Sequence, residues 1–233
     1  MIPLRDDVPS RTTPIVNVSL IIACAVIFFW QLSLGQRGFE AAVTSLGVIP
    51  ATLLGGERLP PDYYLVPPVA TIFTSMFLHG GFLHLIGNML YLWIFGDNVE
   101  DAMGHARFIL FYLLCGAAAA LAQALPNTES VIPMIGASGA ISGVLGAYLL
   151  LYPHARVLVL IPLGFFSQVV HLPAVLVLGL WFALQLLSSA LVETTEGGVA
   201  FGAHIGGFIV GMLLLPFFKR RDTPLFGGAR RRP

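Results

Sequence analysis

The sequence predicts an all-α, polytopic membrane protein built as a bundle of six transmembrane helices, and three observations carry that prediction. The first is composition. Of 233 residues, 57% are hydrophobic and 10% charged, and the mean hydropathy is +0.86. A soluble domain carries roughly 25% charged residues, and so few could not cover a water-exposed surface of this size. That excludes a cytosolic enzyme, a disordered protein and a basic nucleic-acid binder. The second is length. Six runs approach the roughly 20 mostly apolar residues that a bilayer crossing needs: 14–34, 82–99, 106–125, 135–152, 169–190 and 199–218. The third is the layout of charge. With the N-terminus inside, Arg5, Arg11, Arg107, Arg156, Lys219, Arg220, Arg221, Arg230, Arg231 and Arg232 fall on the inner side, and only Arg37 and Arg58 on the outer. Ten of the twelve basic residues thus lie on one side, as the positive-inside rule expects. Six of the ten sit in the tail and orient only the last span.

Taken in order, residues 1–13 read as a cytoplasmic N-terminal segment, 14–218 as the helical domain and 219–233 as a basic cytoplasmic tail. The first span has no small-residue cleavage site behind it, so it is not a cleavable signal peptide. The first outer loop, about Gly35 to Phe82, is long and contains the apolar stretch Ile72–Leu78. Such a loop is expected to pack on the protein or dip into the membrane. Between the second and third spans, Asp97, Glu100 and Asp101 stand with His105 and Arg107, which reads as a solvated helix connection with local salt bridges. The first and fifth spans are strongly apolar, whereas the fourth and sixth are rich in glycine and alanine, the composition of helices packed inside a bundle. Between the fourth and fifth, Val157 to Phe166 is too short for a span and is broken by Pro162 and Gly164. It reads as a turn at the membrane surface. The tail from Lys219 reads as a topological anchor with a disordered end.

Cys24 and Cys115 both lie in apolar runs, where thiols act as small packing hydrophobes. There is no CxxC and no HExxH.

In a chain this apolar, strongly polar residues at membrane depth are functional candidates. His84 and Asn88 open the second span, four residues apart and so on one helix face. Gly136-Ala137-Ser138-Gly139 opens the fourth, and His204 sits in Gly202-Ala203-His204-Ile205-Gly206 at the start of the sixth. Even-numbered spans run from outside to inside, so all three sites belong at one depth, just below the outer surface. The pairs Gly202/Gly206 and Gly207/Gly211, facing a stripe of Gly136, Gly139, Gly143 and Ala147, would let the fourth and sixth helices approach closely. That would bring His204 within reach of Ser138. A serine needs an adjacent base to become a nucleophile, and histidine is the usual one. The Asn88 amide, His84 and the Ser138 backbone N–H could donate to an oxyanion. Each piece alone also fits packing or interhelical hydrogen bonding; it is the joint pattern that points to chemistry. With no carboxylate near either partner, apart from Glu193 and Glu196 in the last outer loop, the arrangement expected is a dyad. It is not the strand-borne GxSxG elbow of soluble hydrolases, since Ala140 follows two after the serine.

Between about Phe73 and Leu214, and more loosely through the first span, the chain resembles the rhomboid intramembrane serine proteases of the minimal six-helix bacterial type. The marks are His79-Gly-Gly-Phe-Leu-His84-Leu-Ile-Gly-Asn88, then Gly136-Ala-Ser138-Gly139, then Ala203-His204-Ile-Gly206-Gly207 with Gly211. The resemblance implies a multi-pass protein of a bacterial inner membrane that cleaves single-span transmembrane proteins without metal or organic cofactor. It implies Ser138 as nucleophile, His204 as general base and His84 with Asn88 as oxyanion donors. Gly136 would keep space beside the serine, and His79 would steady the outer loop. Substrates would approach between the second and fifth helices. Two departures stand out. Ala70-Thr71 replaces a Trp-Arg pair found in some members, and Ser142 replaces an aromatic residue that packs on the catalytic histidine in many. Two other readings are a catalytically silent relative that binds transmembrane clients, and a transporter or metal site built on His79, His84 and His204. The sequence names neither the physiological substrate nor the oligomeric state.

Overall fold

A computed structural model describes residues 1–164, 166–191 and 199–227. Helix α1 (Ile15–Ser33) is followed by α2 (Gly35–Leu46), α3 (Pro50–Leu53) and α4 (Pro68–Thr74). The central helices are α5 (Phe82–Met103), α6 (His105–Ala124) and α7 (Ser138–Leu151), and the last two are α8 (Ala174–Leu191) and α9 (Phe201–Phe218). Among the described residues, four stretches are long and apolar enough to cross a membrane: Ile15–Ser33, His105–Asn127, Ala174–Leu191 and Phe201–Phe218. A fifth is reached only by taking Pro61–Phe77 and Phe82–Met103 together, and these two meet at an 81° bend. The long loop after α1 is therefore largely helical and partly inserted, with Thr71, Ile72, Ser75, Met76 and Leu78 buried.

The fourth expected span is the departure in length. Its helix, α7, has 14 residues, about 21 Å at 1.5 Å per residue against a hydrocarbon core of roughly 30 Å. It sits inside the protein, with every residue from Gly139 to Tyr148 buried. Glycine permits this. A Cβ on Gly207 would strike the Gly139 carbonyl oxygen, one on Gly211 the Gly143 oxygen, and one on Gly146 the Phe208 oxygen. The backbones of α7 and α9 thus touch directly, and α6 closes the same core with Ala119 against Gly139 and Cys115 against Gly143. Cys24 and Cys115 are free, fully buried thiols within this packing.

At the other end of α7 the chain adds a small sheet that corrects the expected surface turn. Strand β1 (Ile2–Arg5) pairs antiparallel with β2 (Arg156–Leu163), and β2 with β3 (Phe166–Pro173). Gly164, at φ +65°, makes the reversal between β2 and β3. Val157 and Val159 are fully buried while Arg156, Phe166 and Val169 are exposed. The fifth membrane helix consequently starts at Ala174, not at 169.

The acidic turn is only partly solvated, which corrects a second expectation, while the expected local ion pair is present between Glu100 and the exposed His105. Glu100 has no exposed surface, and its carboxylate accepts from the backbone N–H groups of Val16 (3.0 Å) and Asn17 (2.7 Å). It thereby satisfies two of the free donors at the start of α1, and also meets His105 Nδ1. Asp101 accepts from the Thr12 hydroxyl and N–H, and Asp97 from the Ser10 hydroxyl. Asp6 takes the Tyr148 hydroxyl and Asp7 the Arg156 N–H. The N-terminal segment is thus strapped across the ends of α5 and α7.

The first part of the tail is likewise tied down. Arg220 donates its backbone N–H to Ala102 and lies against Gly104, whose φ of +84° turns the chain from α5 into α6. Phe226 donates its N–H to the Leu150 carbonyl.

Candidate functional site

Ser138 is the first residue of α7. The preceding turn depends on Gly136, which holds φ at +122° and donates its N–H to Ser75 O at 2.9 Å. A side chain there would be strained by that backbone angle, and its Cβ would lie 2.6 Å from His84 Nε2. The space that Gly136 keeps open is therefore filled by the His84 ring.

Beginning α7 at the serine leaves the Ser138 N–H without an intrahelical acceptor. Helix α9 presents His204 from its first turn, 9% exposed, with Nε2 at 2.8 Å from Ser138 Oγ. The direct backbone contact between α7 and α9 makes that distance possible. On α5, His84 Nδ1 accepts the Gly80 N–H at 3.3 Å, which assigns the ring proton to Nε2, the nitrogen facing Gly136. Asn88, 7% exposed, donates one amide hydrogen to His84 O at 2.9 Å and keeps a second. Ser138, His204, His84 and Asn88 line one cavity of about 900 Å³. All four residues expected from the sequence are thus brought together.

His79 stands behind them. It is fully buried, its N–H donates to Gln31 Oε1 at 3.0 Å, and its ring meets His84 edge-on at 5.1 Å between centroids. Both ring nitrogens of His204 are engaged by side chains.

Three participants were not picked out from the sequence. Gln185 Oε1 on α8 accepts from His204 Nδ1 at 2.8 Å, and the Trp181 indole lies 5.9 Å from the imidazole at 36°. Ser142, in the position where an aromatic residue was missing, spends its hydroxyl on the Ser138 carbonyl one turn back. The signal for Gln185 was a glutamine inside the fifth apolar run, the same kind of signal that singled out His204. Gln123 belongs with them; it lines the cavity and its Oε1 accepts the Ala203 N–H, fixing the start of α9 to α6. Glu193 and Glu196 lie outside the described residues.

Comparison with known proteins places the chain. The family model described as Rhomboid domain matches residues 68–221. The mitochondrial Rhomboid protein 1 of Saccharomyces cerevisiae is 33% identical over 184 residues, 76% of this chain and 50% of that protein. Rhomboid protease GluP of Bacillus subtilis is 34% identical over 143 residues, 61% of this chain and 25% of that protein. The mitochondrial presenilin-associated rhomboid-like protein A of Danio rerio is 27% identical over 211 residues, 83% of this chain and 51% of that protein. The chain spans about half or less of the length of these relatives. Its apolar helices and this matched domain make it an integral membrane protein, and it belongs to the rhomboid family.

Proposed function

We propose that the chain is an intramembrane serine endopeptidase that cleaves single-span transmembrane proteins near the outer face of the membrane. The observation that carries this reading is the 2.8 Å contact between Ser138 Oγ and His204 Nε2 on the wall of a cavity of about 900 Å³. The Bacillus relative's name as a protease supports the same reaction class.

Ser138 Oγ attacks the scissile carbonyl while His204 Nε2 takes its proton. The carbonyl oxygen becomes an oxyanion, to which three donors are available: the Ser138 N–H, the second Asn88 amide hydrogen and His84 Nε2–H. His204 then delivers the proton to the leaving amide nitrogen, and the C–N bond breaks. Water, deprotonated by His204, attacks the resulting ester, and the proton returns to Ser138 Oγ as the carboxylic product leaves. Gly136 serves by admitting the His84 ring, and His79 by backing that ring. Charge layout supports both termini on the cytoplasmic side of a bacterial inner membrane, with residues 14–218 as the protease domain between a short N-terminal segment and a basic tail.

The test uses purified protein and its Ser138→Ala variant in liposomes with a single-span substrate. Cleavage by the first and not the second is expected, together with fluorophosphonate labelling of Ser138. Substrate bound but uncleaved by both proteins would identify a silent client binder instead.

A further inference from the structure

We propose that Gln185, on α8, is the positioning residue that holds His204 in the tautomer and orientation needed to take the Ser138 proton. This rests on reading Ser138 and His204 as the reacting pair. To accept from Ser138 Oγ, His204 Nε2 must be unprotonated, so the single ring hydrogen of a neutral imidazole sits on Nδ1. A hydrogen there needs an acceptor, and Gln185 Oε1 supplies one at 2.8 Å. A glutamine amide can also present its NH2, which would favour the wrong tautomer. Here the choice is made within α8. Gln185 Nε2 donates to the Trp181 carbonyl at 3.4 Å, an acceptor that only the NH2 can address, and this turns Oε1 toward His204.

The ring plane is then set by contact. Trp181, one turn back on the same helix, leans over the imidazole at 36°, and Trp181 in turn lies 6.1 Å from Phe208. Phe182 stacks on Phe208 at 4.4 Å and seats this part of α8 against α9. Gln185 and Trp181 thus divide two tasks between them: a hydrogen-bond acceptor behind the base, and a flat surface beside it. The division takes over from the position of Ser142, whose hydroxyl is bound to its own helix. The device is that of a base oriented by a third group, with an amide in place of the carboxylate.

The experiment compares wild type, Ser138→Ala, Gln185→Met, Gln185→Leu and Gln185→Glu as full chains in liposomes. It measures kcat and KM on a single-span substrate, the fluorophosphonate labelling rate, and Tm, with rates scaled to the folded fraction. Methionine keeps the length without a good acceptor, leucine is a second acceptor-free variant, and glutamate keeps an oxygen in place. The expected result is a loss of roughly ten- to a hundred-fold in kcat and labelling for Met and Leu, the scale of one buried hydrogen bond left unmade. KM should stay within about two-fold, because a uniform binding loss would move KM and leave kcat alone. Glu should recover most of kcat. Wild-type kcat in both Met and Leu, a loss confined to KM, or a Glu variant no better than Met overturns the assignment. Failure of wild type to outperform Ser138→Ala would instead overturn the reading of the site itself.

Discussion

Replacing Gly207 by alanine tests whether the direct backbone contact of α7 and α9 is what assembles the site. The added Cβ would strike the Gly139 carbonyl oxygen, in the turn of α7 that begins with Ser138. Carbon needs about 3.5 Å from its neighbour, so the helices must part there by on the order of 1 Å. The Ser138–His204 separation would then grow from 2.8 Å toward roughly 3.8 Å, beyond hydrogen-bond range. Overpacking of this kind costs about 1–3 kcal/mol. For a chain of this size each kcal/mol lowers Tm by about 2–4 °C, which puts the expected fall at about 2–12 °C. Activity should drop further than stability, by about 100-fold, because a misplacement of about 1 Å is enough for that. Thermal unfolding in detergent and the fluorophosphonate labelling rate read the two effects separately. Gly179→Ala is the control: its Cβ meets nothing within 4 Å, and alanine is the better helix former. Wild-type Tm and labelling in Gly207→Ala, or an equal loss in Gly179→Ala, would refute the reasoning.

Gly136→Ala should lower labelling of Ser138 strongly, with a strain cost of about 1–3 kcal/mol seen in Tm, since it meets both the +122° φ and the His84 ring. Glu100→Ala strands two N–H groups at the start of α1 and should cost about 1–3 kcal/mol in detergent unfolding while leaving kcat of the folded fraction unchanged. Asp6 supplies a pH test. Burial raises its pKa from 3.8 to about 7, against the lowering effect of the Tyr148 hydroxyl and with help from the Asp97 charge. Between those two values the folded protein binds more protons at Asp6 than the unfolded one, so Asp6 makes stability fall as pH rises from about 4 to 7 and adds no further slope above that. Asp6→Asn should flatten this part of a Tm-versus-pH profile, and an unchanged slope would show that Asp6 does not set it.

How far the site was legible depended on where each residue's partner lay. Ser138 and His204 could be paired from sequence because glycine spacing on two helices reported close approach and apolar surroundings made both residues conspicuous. Gln185 was equally conspicuous by residue type, yet nothing in α8 says which way a glutamine faces or that an imidazole meets it 19 positions later. The β2–β3 hairpin stayed hidden for another reason. Both faces of Val157–Leu163 are apolar, so the period of two that marks a strand has no polar residues to display it. Apart from His105, the partners of the Asp97–Asp101 group are more than 80 residues away, in uncharged hydroxyls and N–H groups of Ser10, Thr12, Val16 and Asn17. A short central helix in place of a full fourth span was also beyond hydropathy, which measures apolar length and not whether lipid or protein surrounds it.

The two clusters of polar groups in this apolar chain answer the same cost in different ways. Around α5's later turns, carboxylates meet donors from the N-terminal segment, and the outcome is a strap that joins chain ends to helix ends. Around Ser138, donors beside open space are left without partners. Asn88 has a hydrogen left over, the Ser138 N–H has no helical acceptor, and His84 turns Nε2–H toward Gly136, while all three residues border a cavity of about 900 Å³. Unspent donors around open space are costly in an apolar protein unless something occupies that space. Rarity of polar residues therefore marks both places, but only incomplete pairing beside a cavity separates a site of chemistry from a site of assembly. By that criterion Asn88 belongs to the first kind and Glu100 to the second, although both are buried: Asn88 keeps a donor free beside the cavity, whereas Glu100 is paired with backbone N–H groups more than 80 residues away.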